Sequence, residues 1–182
     1  MTNSHNTCER RVMSPFSQFL VLSTFFLSLG APMAQAVGET GDDKPPVPVV
    51  VSADEVDAIQ ELAEGYGEAR VVALDNGDPA IIGNINGTAY QLFFLECQDG
   101  KNCGALNFYA IWDVPTVSIG ALNIWNRSAP FNKAYLTEEN LPVIEMNLPA
   151  EGGFVREQLD YIFGQWTIAL AAFSRDVIAE AP

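Results

Sequence analysis

Thr88 to Asp113 reads TAYQLFFLECQDGKNCGALNFYAIWD, two aromatic, apolar runs separated by Gln98-Asp99-Gly100-Lys101-Asn102. Branched and aromatic side chains fit a pleated backbone, and the polar, glycine-bearing segment between them is turn chemistry. The stretch predicts a β-hairpin. Side chains alternate along a strand, so Tyr90, Leu92 and Phe94 share one face while Phe93 and Leu95 take the other. Apolar residues on both faces predict a central strand covered on both sides.

Working outward, Glu68 to Leu74 and Ala80 to Ile85 have the same character, and Asn86-Gly87 suits a tight type I′ turn because both positions accept positive φ. Asp75-Asn76-Gly77-Asp78 reads as a hairpin turn; as a calcium loop its ligand series stops early and no glutamate closes it. The four runs form an antiparallel meander. Ahead of them, Ser52-Ala53-Asp54-Glu55 has the form of a capping box, and Val56, Ile59, Leu62 and Ala63 repeat at helical spacing up to Gly65.

Beyond Pro115, Ser118 to Asn126 places Ile119, Leu122 and Trp125 on one stripe, a second short helix. Lys133 to Leu136 and Val143 to Leu148 add two strands. In the last of these, Ile144, Met146 and Leu148 alternate with Glu145 and Asn147, which predicts one wet face. Val155, Leu159, Ile162, Trp166, Leu170, Phe173 and Val177 then follow a helical repeat, with Glu157 and Asp160 early and Arg175 late, as the helix dipole favours. Gly164 costs that helix about 1 kcal/mol relative to alanine, so packing must compensate or a close approach must require it. Trp112 and Trp166 fall on apolar faces and are expected to be buried. The order is α-β-β-β-β-α-β-β-α: an α+β fold, one antiparallel sheet flanked by helices, in a single domain over 52–179.

The amino-terminal segment differs in kind. Cys8, Arg10 and Arg11 precede an apolar run from Phe19 to Leu29, and Ala34-Gln35-Ala36 offers a signal-peptidase site. That run spans about 16 Å as a helix, short of the ~30 Å a membrane crossing needs. Residues 1–36 therefore read as a cleaved signal peptide, and the mature chain of 146 residues begins at Val37 in a periplasmic or secreted setting. Residues 37–51, with Pro45-Pro46-Val47-Pro48, read as a Pro-rich disordered tether.

The chain carries 23 acidic and 9 basic side chains, a net charge of −14; losing Glu9, Arg10 and Arg11 leaves 22 and 7, a net of −15. Such a charge repels phosphate backbones and anionic headgroups, and no basic stripe offsets it, so nucleic acid is excluded as a partner. No stable membrane span remains after cleavage.

In an oxidising compartment, Cys97 and Cys103 at close spacing across a turn suggest a disulfide. Closing so short a loop stabilises by about 2 kcal/mol in the chain-entropy model. A redox pair or metal site is the weaker alternative: the spacing is not Cys-x-x-Cys, and the lone histidine, His5, leaves with the signal. A histidine-dependent nucleophile is excluded on the same ground. Glu138, Glu139, Glu145 and Glu151 are close in sequence, but nothing in their spacing singles out an acid-base pair. No catalytic, cofactor-binding or metal-ligating residue is assigned. Trp125 and Asn126, an aromatic beside a two-way hydrogen-bonding amide, are the candidate interface anchors, with core packing of the tryptophan as the plainer reading.

Tyr90 to Ala110, with Cys97-Gln98-Asp99-Gly100-Lys101-Asn102-Cys103 at its centre, resembles the central hairpin of exported YbjN-like proteins. So do Leu122-Asn123-Ile124-Trp125-Asn126-Arg127, Phe131, Ala134-Tyr135-Leu136 and Leu141 to Leu148. The resemblance covers Ser52 to Ile178. It implies a fold similar to that of type III secretion chaperones, a role described for the family as bacterial sensory-transduction regulation, polypeptide partners, and a homodimer. The chain departs from the family pattern at Ser128-Ala129-Pro130, where basic residues are common, and at Thr137-Glu138-Glu139-Asn140, which lacks glycine.

Residues and resemblance together lead to an exported, non-enzymatic protein- or peptide-binding domain, a regulator or chaperone-like protein of the bacterial cell envelope, without a cofactor. A small-molecule or divalent-ion binding module is the alternative from another class, and a carboxylate-dependent enzyme is the third.

Overall fold

Asn86 and Gly87 adopt φ of 52° and 85°, the left-handed pair that a two-residue type I′ turn requires. That turn fixes the register of β3 (Pro79–Ile85) against β4 (Thr88–Leu95), with Ile85 opposite Thr88, Gly83 opposite Tyr90 and Ile81 opposite Leu92. Each strand then inherits its facing from its neighbour. β2 (Glu68–Ala73) pairs with β3, and β5 (Ala105–Ile111) with β4; β7 (Pro142–Pro149) pairs with β5, and β6 (Lys133–Leu136) closes the far edge. The sheet is antiparallel throughout, in the order β2-β3-β4-β5-β7-β6, and the α+β class follows. The computed structural model describes residues 47–114 and 117–179; the expected signal peptide and most of the expected tether lie outside them. Among the described residues no helix is long and apolar enough to cross a membrane.

One face of the sheet is the core. Ile81, Ile85, Tyr90, Leu92, Phe94, Leu106, Phe108, Ala110, Ile144 and Met146 are buried there. α3 (Arg156–Phe173) covers this face: Phe163 meets Phe108 edge-on with ring centroids 5.0 Å apart, and Trp166 sits 5.5 Å from Phe108 and 6.5 Å from Tyr90. α1 (Val56–Glu64) adds Ile59, Leu62 and Ala63, and α2 (Ile119–Ser128) adds Leu122 and Trp125. Gly83 is part of this packing, because a Cβ there would run into the Tyr90 ring opposite.

The other face corrects an expectation. β4 is an interior strand of the sheet, but only one of its faces is covered. Gln91 and Phe93 are half-buried and Leu95 is exposed, as are Ile111 and Tyr135 on neighbouring strands. An apolar residue on each face of one strand does not by itself show that both faces are covered.

Several boundaries also move. The tether was expected to run to Val51, yet β1 (Val50–Val51) pairs with β8 (Phe154–Val155), and Val51 is buried. Arg156 donates its amide to Val49 in the same ladder, at 2.8 Å. α1 begins at Val56, and the capping box is half-formed: the Glu55 carboxylate accepts the Ser52 amide at 2.7 Å, but the Ser52 hydroxyl accepts the amide of Asp54, at 3.2 Å, in place of that of Glu55. The last helix ends at Phe173, and Ser174–Ile178 continues as a π-helical turn. Trp166 is fully buried, whereas Trp112 is half-buried against Phe173, 5.0 Å between ring centroids.

Candidate functional site

The segment joining α2 to β6 is tied down by side chains at the helix's carboxyl end, where carbonyls lack intrahelical donors. The Ser128 hydroxyl donates to the carbonyls of Ile124 and Trp125, at 3.2 and 3.0 Å. Lys133 Nζ reaches back to the carbonyls of Asn126 and Ala129, at 3.2 and 3.0 Å, where the negative pole of the helix favours a cation. Trp125 donates its indole N–H to buried Asn132 at 2.8 Å. These bonds fold the connection back over α2 and leave Phe131 56% exposed.

Between this connection, β7 and α3 lies a groove of about 140 Å³. Trp125, Phe131, Met146, Trp166, Ile168 and Ala169 line it, with Asn132 and Gln165 as polar members and no charged side chain. Ile168, on α3, is 61% exposed at its rim. The Trp166 indole N–H is buried and donates to no acceptor, an uncommon state for a polar group inside a protein. The groove thus combines exposed apolar anchors with indole rings, the side-chain chemistry typical of protein-interface centres.

The two expected anchors are adjacent in the chain and do different work. Trp125 is largely buried, packs edge-on against Phe173 with centroids 5.0 Å apart, and shows only its margin to the groove. Asn126 is engaged within the chain. Its amide donates to the Ala134 carbonyl at 2.9 Å and accepts the Ala134 amide at 2.7 Å, so the two-way bonding capacity is spent on the outer edge of β6. Neither Phe131, which is part of the family resemblance, nor Ile168 stood out in the sequence as an anchor. Their signal was an apolar residue inside a turn, after Pro130, and one off the buried stripe of the last helix.

Cys97 and Cys103 are joined by a disulfide. Their loop is bound to the start of α1, where Asp54 accepts the Asn102 amide at 2.5 Å. Beside it an open cleft of about 640 Å³ is lined by Ser52, Asp54, Glu55, Glu96 and Glu151. Among the described residues no set of histidine, cysteine or carboxylate side chains is arranged to hold a metal; Asp54 and Glu55 are engaged by backbone amides. Glu138, Glu139 and Glu151 lie exposed in turns, away from a shared enclosed site, and Glu145 stands on the open face of β7.

Residues 55–179 match the family model YbjN, described as "Putative bacterial sensory transduction regulator". The chain belongs to the YbjN family. No curated protein matches it. Among solved structures, a chain of the "Structure of the HopA1-SchA Chaperone-Effector Complex" aligns at 16% identity with a TM-score of 0.40, covering 63% of this chain and 91% of that one. A likeness that loose carries no weight for function. In this YbjN-family domain, the matched span takes in both the groove and the disulfide hairpin.

Proposed function

We propose that this YbjN-family protein is an exported, non-catalytic, chaperone-like binding domain of the bacterial cell envelope that takes an apolar segment of a polypeptide partner into the groove between the α2–β6 connection and α3. One observation carries the reading: on a chain of net charge −14, an uncharged groove is rimmed by exposed Phe131 and Ile168. Full burial of a side chain of that size contributes about 1.5–3 kcal/mol; with 56% and 61% of their surface still open, Phe131 and Ile168 each add a part of that, a useful increment that does not fix a partner permanently. The acidic remainder of the surface favours basic partners and repels anionic ones. The export signal read in residues 1–36 supplies the compartment.

The test is a photo-crosslinking phenylalanine analogue at Phe131 in the native cell envelope, with Tyr161 of the same helix as Ile168 but outside the groove lining as an equally exposed control position. A discrete crosslinked polypeptide from position 131, lost in Ile168→Glu and not obtained from position 161, is the expected result. No crosslinked polypeptide, or the same product from both positions, would sink the reading. Intact mass of the purified protein separately tests export, which requires a chain beginning at Val37.

A further inference from the structure

Across the open face of the sheet, register aligns one transverse row: Arg70, Ile82, Gln91, Tyr109, Glu145 and Lys133. Glu145 stands between Tyr109 on one side and Lys133 on the other, close enough for a cross-strand ion pair. That pair is not formed. Lys133 Nζ donates instead to the carbonyls of Asn126 and Ala129 at the end of α2. Glu145 is left with neutral donors, the Tyr135 hydroxyl at 3.2 Å and the Asn147 amide at 3.4 Å. Among the described residues the ion pairs are Arg156 with Glu61 and Arg175 with Asp176, so no side chain there neutralises this half-buried carboxylate.

We propose that Glu145, with the rings of Tyr109 and Tyr135, is a docking point for the basic side chain, guanidinium or ammonium, of a partner polypeptide. A carboxylate supplies the counter-charge, and an aromatic face attracts a cation through its quadrupole. Replacing a neutral donor by a charged one strengthens each hydrogen bond made to the carboxylate. Tyr109 also borders a cavity of about 80 Å³ on the same face, with Ile82, Ala89, Gln91 and Ile111; Glu145 and Tyr135 lie outside its lining, on the next strands. The local field agrees: after burial, Glu145 is the next cause raising the Tyr135 hydroxyl to about 12, and Tyr109 is raised by burial, then by Glu145 and Glu139.

Charge selects the occupant. A second copy would bring another −14 to the face, whereas a basic segment is steered toward it by the whole surface. The inference deepens the protein-binding reading but uses a surface separate from the groove lining, so each can fail alone.

The experiment titrates the ¹⁵N-labelled exported protein with a blocked arginine-containing pentapeptide and with its citrulline counterpart, which is neutral and nearly isosteric. Saturable amide shifts are expected on β5, β6 and β7 with arginine and not with citrulline. Glu145→Gln should weaken binding at least tenfold and lower the Tyr135 pKa, whereas Glu157→Gln, the same loss of charge at an exposed position of α3 outside both surfaces, should leave peptide affinity unchanged. Tyr135→Phe keeps the ring and frees a carboxylate oxygen, so it should bind as well as the parent or better. Shifts centred on the acidic cleft, equal shifts with citrulline, or full binding by a folded Glu145→Gln protein would each overturn the proposal.

Discussion

The two faces of this sheet are built from the same strands and have different fates. On β4 and β5 the core face presents Tyr90, Leu92, Phe94, Leu106, Phe108 and Ala110, all buried; the open face presents Gln91, Phe93, Asn107 and Tyr109. Both carry aromatics, and the open face even keeps an edge-on aromatic pair, Phe93 and Tyr109, with centroids 5.8 Å apart. The distinguishing feature is the amides. Gln91, Asn107 and Asn147 lie only on the open face, where Asn107 donates to Asn147 at 2.8 Å. Asn107 is itself buried and is satisfied by that bond, while Gln91 is half-buried and Asn147 exposed; polar groups placed under a helix would each need such a partner, so the row of amides marks the side that no helix covers.

The largest expected effect tests that contrast directly. Trp166→Ala removes a fully buried indole that packs against Phe108 and Tyr90, and a substitution of this type costs about 3–5 kcal/mol. Phe93→Ala on the open face should cost about 1 kcal/mol, the scale of one cross-strand pair. Urea unfolding of both variants measures the difference. Equal losses would mean that the open face is covered in solution, and the comparison would fail.

Two glycines sharpen it at a smaller scale. Gly83→Ala drives a methyl into the Tyr90 ring on the core face, and overpacking of this kind costs about 1–3 kcal/mol. Gly164 was read as needing either compensation or a close approach. A Cβ there would meet the Tyr66 hydroxyl at 3.7 Å, ordinary contact, while Tyr66 is already held by Asp160, donating to its carbonyl at 2.7 Å. No close approach requires glycine at 164. Gly164→Ala should therefore stabilise by about 0.5–1 kcal/mol through helix propensity, and a loss of stability in thermal melts would show that α3 and Tyr66 are more tightly packed than their separation implies.

The strands were legible because each carries its own signal. Branched and aromatic runs bounded by Asn76-Gly77 and Asn86-Gly87 place β2, β3 and β4 to within a residue or so, and Lys133–Leu136 was placed at its observed ends. The β1–β8 ladder was not legible. Val50 and Val51 follow a proline-rich stretch, and their partners lie far along the chain, so no local pattern announces the pairing. Site geometry was less readable still. Asn126 was singled out for its bonding capacity, but a sequence does not say whether an amide meets its own strand edge or a partner. Glu145 looked like one of several solvated carboxylates; its distinction comes from Lys133 turning toward the α2 terminus, a competition decided only once helix and strand are side by side.

The smallest effect concerns one tyrosine from each face. Tyr90 and Tyr135 are both pushed up to about 12, Tyr90 by burial alone and Tyr135 by burial followed by the charge and hydrogen bond of Glu145. In the unfolded chain both titrate near 10. Raising pH through that range ionises the unfolded state first, so the unfolded state binds fewer protons and folding stability falls. The contribution is fully present below pH 10 and is lost between 10 and 12. Tyr135 is 40% exposed, so solvent screening reduces its share. Glu145→Gln separates the two causes. NMR of the tyrosine ring carbons should show Tyr135 moving back toward 10 while Tyr90 stays near 12. If both move, the two faces are electrostatically coupled through the sheet. If neither moves, Glu145 does not shape the open face, and the asymmetry between the faces reduces to burial.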